Sequence, residues 1–327
     1  MKTIRWGIIG AGSISSTFAT ALNATNGAEL VAVASRDLLR ARNFAKEFHI
    51  PTAYSSYEEI VTDDNVEVIY IGTPHSEHIK NVELCIKSKK HVLCEKAFTL
   101  NEKDTIYLMN LAKEYNVFLM EAMWTKLLPT TIMVKDWINS GRIGTLKYLS
   151  IRFGFFNERN VENRFFNLDL GGGALLDVGI YPVTYAVHMM EQLPKSIQSS
   201  ALIGFTGVDE VNSILLQFEN GAIADLSSSI NVEVGKDALL VGEKGKIIVE
   251  NFWKAERAEL FDNEGNLLEV CDEPFQVNGY EYEIMEVNQC IREAKIQSDI
   301  VPLQATKDIM RILDTLRGQW NMVYPKE

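Results

Sequence analysis

Between residues 3 and about 123, short apolar, β-branched runs alternate with segments whose apolar positions recur every three or four residues. The runs are TIRWGIIG, ELVAVAS, VEVIYIG, HVLCEK and VFLMEAM. In the first spacer Ile14, Phe18 and Leu22 fall on one helix face, and Asp37 and Asn101 stand where N-caps open later helices. The alternation predicts a doubly wound parallel sheet covered by helices, an α/β domain of Rossmann type over residues 1–123. After about residue 145 the rhythm lengthens into TLKYLSIRFGFF, VNSILLQFE, AIADLSSSI, DALLVGE and RAELFD, with Asn220-Gly221 as a hairpin turn. Helical stretches accompany these strands at GGALLDVGIYPVTYAVHMMEQ, GYEYEIMEVNQCIREAKIQ and LQATKDIMRILDTLRGQW. A second domain, 124–327, is therefore expected to be α+β, built on a large, mostly antiparallel open sheet.

A chain of 327 residues fits two domains, and 46% hydrophobic with 23% charged residues is the balance of an ordinary globule. No apolar run approaches the roughly 20 residues of a membrane span, and the N-terminus has no signal-peptide core. Cys85, Cys94, Cys271 and Cys290 are scattered without a CxxC, which argues against a zinc site or disulfide framework and fits a reducing cytoplasm. A net charge of −12 argues against nucleic-acid partners, which need a basic face. A small-molecule ligand is the expectation that remains.

GIIGAGSIS places Gly10, Gly12 and Ser15 in a Gly-x-Gly-x-x-Ser turn between a strand and a helix, the context of a dinucleotide-binding turn. Gly10 permits the turn, Gly12 lets backbone approach a pyrophosphate, and the helix N-terminus, with Ser13 and Ile14, supplies N–H donors. The second strand ends at Ser35-Arg36 with no acid for a ribose 2′-hydroxyl. Arg36 and Arg40 instead suit a 2′-phosphate, which favours NADP with NAD as the alternative; the other reading puts both on a solvated helix face, and for Arg40 the two weigh about evenly. TPHSEH holds His75 and His78 without a third ligand, so no metal is expected; Thr73, Pro74 and His78 would border the nicotinamide end of a cofactor. By the same rule HVLC delivers Glu95 and Lys96 into the crevice, facing opposite ways. In GGGALLDVGIYPV, Asp177 and Tyr181 are spaced i, i+4 on one helix face. His188 reads as a buried histidine without a role. His75, Trp124, Arg152, Phe155 and Phe156 are candidate substrate-pocket residues, although His75 reads about as well as a surface histidine and strand alternation makes some of the others plain sheet-face positions.

GTPHSEH, HVLCEKAFTLN, FLMEAMWTKLLP and GGGALLDVGIY, with the glycine turn, resemble the Gfo/Idh/MocA family of nicotinamide-dependent sugar oxidoreductases. CEK, EAMWTK and DVGIY look most like its dimeric dihydrodiol dehydrogenase branch, whose members oxidise trans-dihydrodiols and D-xylose with NADP. The resemblance implies that Lys96 is the catalytic lysine and that Asp177 and Tyr181 form the family's Asp-x-x-x-His pair with Tyr for His. Tyr181 would exchange the hydroxyl proton. A lysine ammonium at about 4 Å would favour its phenolate by up to roughly 4 kcal/mol at an effective dielectric near 20. A substrate that is a sugar, polyol or diol follows, as does a homodimer or homotetramer. The alternative is a non-catalytic NAD(P) sensor of the same fold. Two positions depart from the family: Ala97 stands where Glu-Lys-Pro is usual, so this chain must hold a cis turn by packing or abandon it, and Lys126 stands where the branch has Arg.

Overall fold

The computed structural model describes residues 2–325 and 327. The first apolar runs become β1 (Ile4–Ile9), β2 (Ala28–Ala34), β3 (Thr52–Tyr54), β4 (Val68–Ile71), β5 (His91–Glu95) and β6 (Leu119–Ala122). Between them lie α1 (Ser13–Ala24), α2 (Leu38–Phe48), α3 (Tyr57–Val61), α4 (His78–Lys87) and α5 (Glu102–Tyr115). Every pairing is parallel, in the order β3-β2-β1-β4-β5-β6. The winding reverses between β1 and β4, which opens a crevice beyond the carboxyl ends of those strands. Both N-cap expectations hold: Asp37 accepts from the amides of Leu39 and Arg40, and Asn101 from that of Asp104.

The second half contributes α6 (Pro129–Asn139), β7 (Leu146–Gly154), α7 (Ile180–Met190), β8 (Ser196–Ile203), β9 (Asp209–Gln217), β10 (Ile223–Ser229), β11 (Ala238–Gly242), β12 (Gly245–Val249), β13 (Arg257–Asp262) and β14 (Leu267–Asp272). These strands form one sheet, β14-β13-β12-β11-β7-β10-β9-β8, antiparallel except for β7 with β10. Asn220-Gly221 does turn the β9–β10 hairpin, with Gly221 at φ 83° and its amide on Phe218 O. Register fixes two faces. Leu149, Ile151 and Phe153 alternate inward under α7, while Tyr148, Ser150 and Arg152 share the opposite face with Ile223 and Leu215.

The helix that carries Asp177 and Tyr181 is not uniform. Leu175–Gly179 winds as a π-turn, in which the Ile180 amide reaches Leu175 O five residues back, before α7 begins. Pro182 in the first turn of α7 has no N–H to offer Val178 O, and the wider turn lies just upstream of that missing bond. Leu168–Met190 is also long and apolar enough by length and composition to cross a membrane, contrary to the sequence expectation, and 89% of its most apolar window is buried, as in the core helix of a packed domain.

The chain ends with α8 (Glu281–Arg292) and α9 (Leu303–Trp320). It divides into two units, Met1–Trp124 with Gln276–Lys307, and Thr125–Phe275 with Asp308–Glu327. A division at residue 123 thus describes the first crossing but not the return. In that return segment the Asn288 side chain accepts from Trp6 Nε1 at 3.0 Å, and Ile296 O accepts from the Leu119 amide. The periodicity of GYEYEIMEVNQC shows that α8 buries one face, but not which sheet receives it.

Candidate active site

In the first unit the glycine turn has the form a dinucleotide needs. Gly10 sits at φ 97°, and a Cβ there would lie 2.9 Å from Gly72 O, so only glycine fits. Gly12 opens α1 without a side-chain cap, and no acid stands in the first turn, so the leading amides of Ser13 and Ile14 keep their positive field. Ser15 is fully buried against Gly72, the close packing that a small third residue allows.

Arg40 is fixed to this turn by a 2.7 Å hydrogen bond from Nε to Ala11 O. Arg36 hydrogen-bonds the Tyr57 phenol, which burial pushes up and the guanidiniums of Arg36 and Arg40 pull back down. Asp37, the nearest acid, is committed as the α2 cap, and Ser35 Oγ accepts from its amide. The carboxyl end of β2 is therefore a cationic corner beside the glycine turn. Tyr57 was not foreseen, since nothing in YEEIV marks its ring for Arg36.

At the ends of β4 and β5 the polar side chains hold backbone. His78 is fully buried with its ring nitrogens 2.8 Å from Thr73 O and 2.9 Å from Ala97 O; burial lowers it from its usual range, against the pull of those carbonyls. It is a strut between the two crevice loops. His75 Nε2 lies 3.2 Å from Lys96 O. Asn81 donates to Thr73 Oγ1, beside Pro74. The Lys96-Ala97 bond is cis, which answers the question raised by Ala97, and Ala97 is fully buried. Glu121 accepts from the Phe98 amide and from Thr306 Oγ1. Glu95 accepts from Tyr70 at 2.7 Å and from the Lys96 amide at 3.2 Å. Below this pair, Tyr70 stacks on Phe18 with ring centroids 3.7 Å apart, and Glu283 of α8 is fully buried with no hydrogen-bond partner for either carboxyl oxygen among the described residues. Burial first, and the Glu95 charge second, hold Glu283 well above the usual carboxylate range. Trp124 is buried and stacks on Tyr280 at 4.5 Å.

In the second unit Asp177 and Tyr181 are both buried. Asp177 Oδ1 accepts from Arg164 Nη1 at 2.7 Å, and the Arg164 guanidinium lies 4.1 Å over the Phe165 ring. Tyr181 meets Phe153 at 5.5 Å and Trp253 at 6.1 Å, and Phe153 stacks on Trp253 at 4.8 Å. Phe155 joins this wall through Phe153 and Phe165. Arg152 does not: its place on the opposite face of β7 separates it from Phe153, so the structure removes it from the candidate substrate residues. Phe156 is largely exposed. His188 is pulled down to about 3, by burial first, and stays neutral, without a role. Arg164, Phe165 and Trp253 were missed because each belongs to an irregular segment where periodicity gives no direction.

Residues 4–123 match the model of the oxidoreductase family with NAD-binding Rossmann fold, and residues 131–248 match the GFO/IDH/MocA C-terminal domain. The chain belongs to the Gfo/Idh/MocA family. It is 36% identical over 334 residues to the trans-1,2-dihydrobenzene-1,2-diol dehydrogenase of Mus musculus, covering 99% of each chain. To the Xenopus laevis protein of the same name it is 34% identical over 332 residues, 98% of this chain and 99% of that one. A solved 3-ketoreductase from Actinomadura kijaniata, in complex with NADP and TDP-benzene, shares the fold with a TM-score of 0.86 at 22% identity, over 97% of this chain and 98% of that chain.

The buried acid layer of this Gfo/Idh/MocA chain yields a stability test. Glu283 titrates in the folded state above its unfolded value, so the stability it contributes is complete at acid pH and lost as pH rises toward its folded value. Glu283→Gln keeps the shape without the charge. Urea unfolding at pH 5, 6 and 7 should show the variant gaining on the parent by up to about 1.4 kcal/mol per pH unit. A gap independent of pH would show that Glu283 titrates normally.

Proposed function

We propose that this chain is an NADP-dependent dehydrogenase that moves a hydride between nicotinamide C4 and a hydroxyl-bearing carbon of a trans-dihydrodiol, sugar or polyol. The observation that carries this reading is that the chain holds both a cationic corner at the glycine turn of its first unit and, within its second unit, a wall of Phe153, Phe155 and Trp253 that ends on Tyr181. The wall suits the flat face of a dihydrodiol ring, the substrate in the name of the relatives above 30% identity. NADP when bound supplies the hydride acceptor.

The side chains divide the remaining work. The amides of Gly12, Ser13 and Ile14 meet the pyrophosphate, and Arg36 and Arg40 the 2′-phosphate. Tyr181 Oη takes the substrate hydroxyl proton during oxidation and returns it during reduction, and Lys96 stabilises its phenolate and anchors the same hydroxyl. Asp177, aligned by Arg164, orients the hydroxyl-bearing carbon. Phe153 and Trp253, packed against the Tyr181 ring, keep water from one side of it.

NADP-linked turnover of trans-1,2-dihydrobenzene-1,2-diol, D-xylose and D-glucose tests the assignment. Lys96→Met and Tyr181→Phe should each lower kcat at least 100-fold; wild-type rates in both would refute the site, and NADP binding without any turnover would favour a sensor.

Cofactor choice has its own variant. Arg36→Ala should raise the KM for NADP about tenfold or more and leave that for NAD nearly unchanged. Equal loss for both cofactors would defeat the 2′-phosphate role.

We also propose a homo-oligomer, in which the open face bearing Tyr148, Leu202, Leu215 and Ile223 pairs with a second copy. Leu215→Lys combined with Ile223→Lys should shift sedimentation from oligomer to monomer. An unchanged sedimentation coefficient would place the interface elsewhere.

A further inference from the structure

The turn that leads into the Asp177–Tyr181 helix is gripped from two sides by side chains outside any role given so far. Asp209, at the start of β9, is fully buried; its Oδ2 accepts from the Leu175 amide and from Asn212 Nδ2, both at 2.8 Å. Its Oδ1 has no hydrogen-bond partner among the described residues and lies where a Cβ on Gly173 would come within 2.3 Å of it. Tyr324, also buried, donates from Oη to Gly172 O at 2.7 Å. Gly172 itself tolerates no side chain, since a Cβ would meet the carbonyl oxygens of Arg164, Phe165 and Asn167 at 2.6–2.8 Å. The same residues thus fix the segment that carries Arg164, the partner of Asp177.

We propose that Asp209 and Tyr324 are positioning residues for the reaction: they clamp the Gly172–Leu175 turn, and ionisation of Asp209 sets how firmly the helix bearing Asp177 and Tyr181 is held. The inference rests on the reading that Asp177 and Tyr181 serve the substrate. An anionic carboxylate at the first amides of a helix binds them more strongly than a neutral acid. Burial pushes Asp209 up to about 7, so its charge changes near neutrality. Its titratable and charged surroundings are Arg317 of α9, itself tied to Asp314 and Glu327, then Tyr324 and Asp177. On its own strand Glu210 is bound by Arg159 and Asn231, β8 sets Ile203 opposite, and β10 brings serines, Ser228 and Ser229. Arg317 is the cation that draws Asp209 down against burial, and no hydrogen bond joins the two among the described residues.

The test compares kcat and the KM for NADP from pH 5.5 to 9, with trans-1,2-dihydrobenzene-1,2-diol as substrate and melting temperatures alongside. Asp209→Ala and Tyr324→Phe should lower kcat about tenfold and threefold respectively, with the KM for NADP within twofold of wild type. Wild-type kcat should rise through an inflection near pH 7. Asp209→Asn keeps an acceptor for the Leu175 amide, so it should restore most of kcat while losing that inflection. Unchanged kcat in Asp209→Ala and Tyr324→Phe overturns the proposal. So does a loss that tracks melting and raises the KM for NADP equally, or an Asp209→Asn profile that overlays wild type. Tyr181→Phe separates the premises: wild-type turnover there sinks the assignment of Tyr181, whereas an inactive Tyr181→Phe beside fully active Asp209 and Tyr324 variants sinks only the clamp.

Discussion

Backbone polar groups left over where a strand stops or a helix starts must find partners inside the protein, and in this chain that requirement consumes most of the polar side chains near the chemistry. Beyond β5 the chain turns away from the sheet with buried carbonyls at Lys96 and Ala97 and a buried amide at Phe98. His75, His78 and Glu121 meet them in turn. Before the Asp177 helix the Leu175 amide and the Gly172 carbonyl are met by Asp209 and Tyr324. Histidines and acids in these places look like reagents but serve as struts. Lys96 is fixed through its backbone, by Glu95 at its amide and His75 at its carbonyl.

Burying those struts has an electrostatic cost that the fold meets by neutrality more often than by pairing. Burial pushes His78 down and His188 down to about 3, and pushes Glu283 and Asp209 up, toward their protonated forms. Where a buried acid does keep a cation, as Asp177 with Arg164 or Glu210 with Arg159, the arginine is half exposed and comes from the segment between β7 and the helix. Such pairs retain solvent around one partner, so desolvation weighs on the acid alone. Losing either arginine would leave the buried acid as a bare charge, so each pair ties the segment to the sheet or helix it meets.

The architecture was largely legible because it is written in periods. Period-2 and period-3.6 patterns gave the parallel sheet, the antiparallel sheet, the caps at Asp37 and Asn101 and the turn at Asn220-Gly221. What periodicity does not encode is which face meets which neighbour. α8 was identifiable as a helix yet not assignable to the first unit, and Arg152 stood one residue from Phe153 but on the other face of β7. The π-turn at Asp177 was equally silent, since a regular α-helix and a widened one share the same apolar positions. At the site, the glycine turn, the His78 segment and Glu95-Lys96 all lie at the carboxyl ends of strands, where the topological rule put them, but residue type did not show that the His78 ring meets Thr73 O and Ala97 O. Asp209 and Tyr324 could not have been found this way, because each acts on backbone distant in sequence, nor could Glu283, whose burial near Glu95 joins residues far apart in the chain.

In the 2′-phosphate role proposed for them, Arg36 and Arg40 would bias cofactor choice with little charge in a chain of net charge −12. Long-range attraction for a trianionic or tetra-anionic ligand is unfavourable here, and at physiological ionic strength it is screened beyond about 8 Å. Selection must therefore come from contacts. A charge-assisted hydrogen bond contributes about 1.5–3 kcal/mol, so one contact each from Arg36 and Arg40, discounted for their exposure to solvent, corresponds to roughly one or two orders of magnitude in affinity. Two features keep that gain from being cancelled. Asp37, the one acid within the turn, has its carboxylate turned to the α2 amides, and Arg40 is already tethered to Ala11 O, so less side-chain entropy is lost when a phosphate arrives. In that proposed role, the helix cap at Asp37 and the tether of Arg40 to Ala11 O are what would let two surface arginines act as a selective site inside an acidic protein.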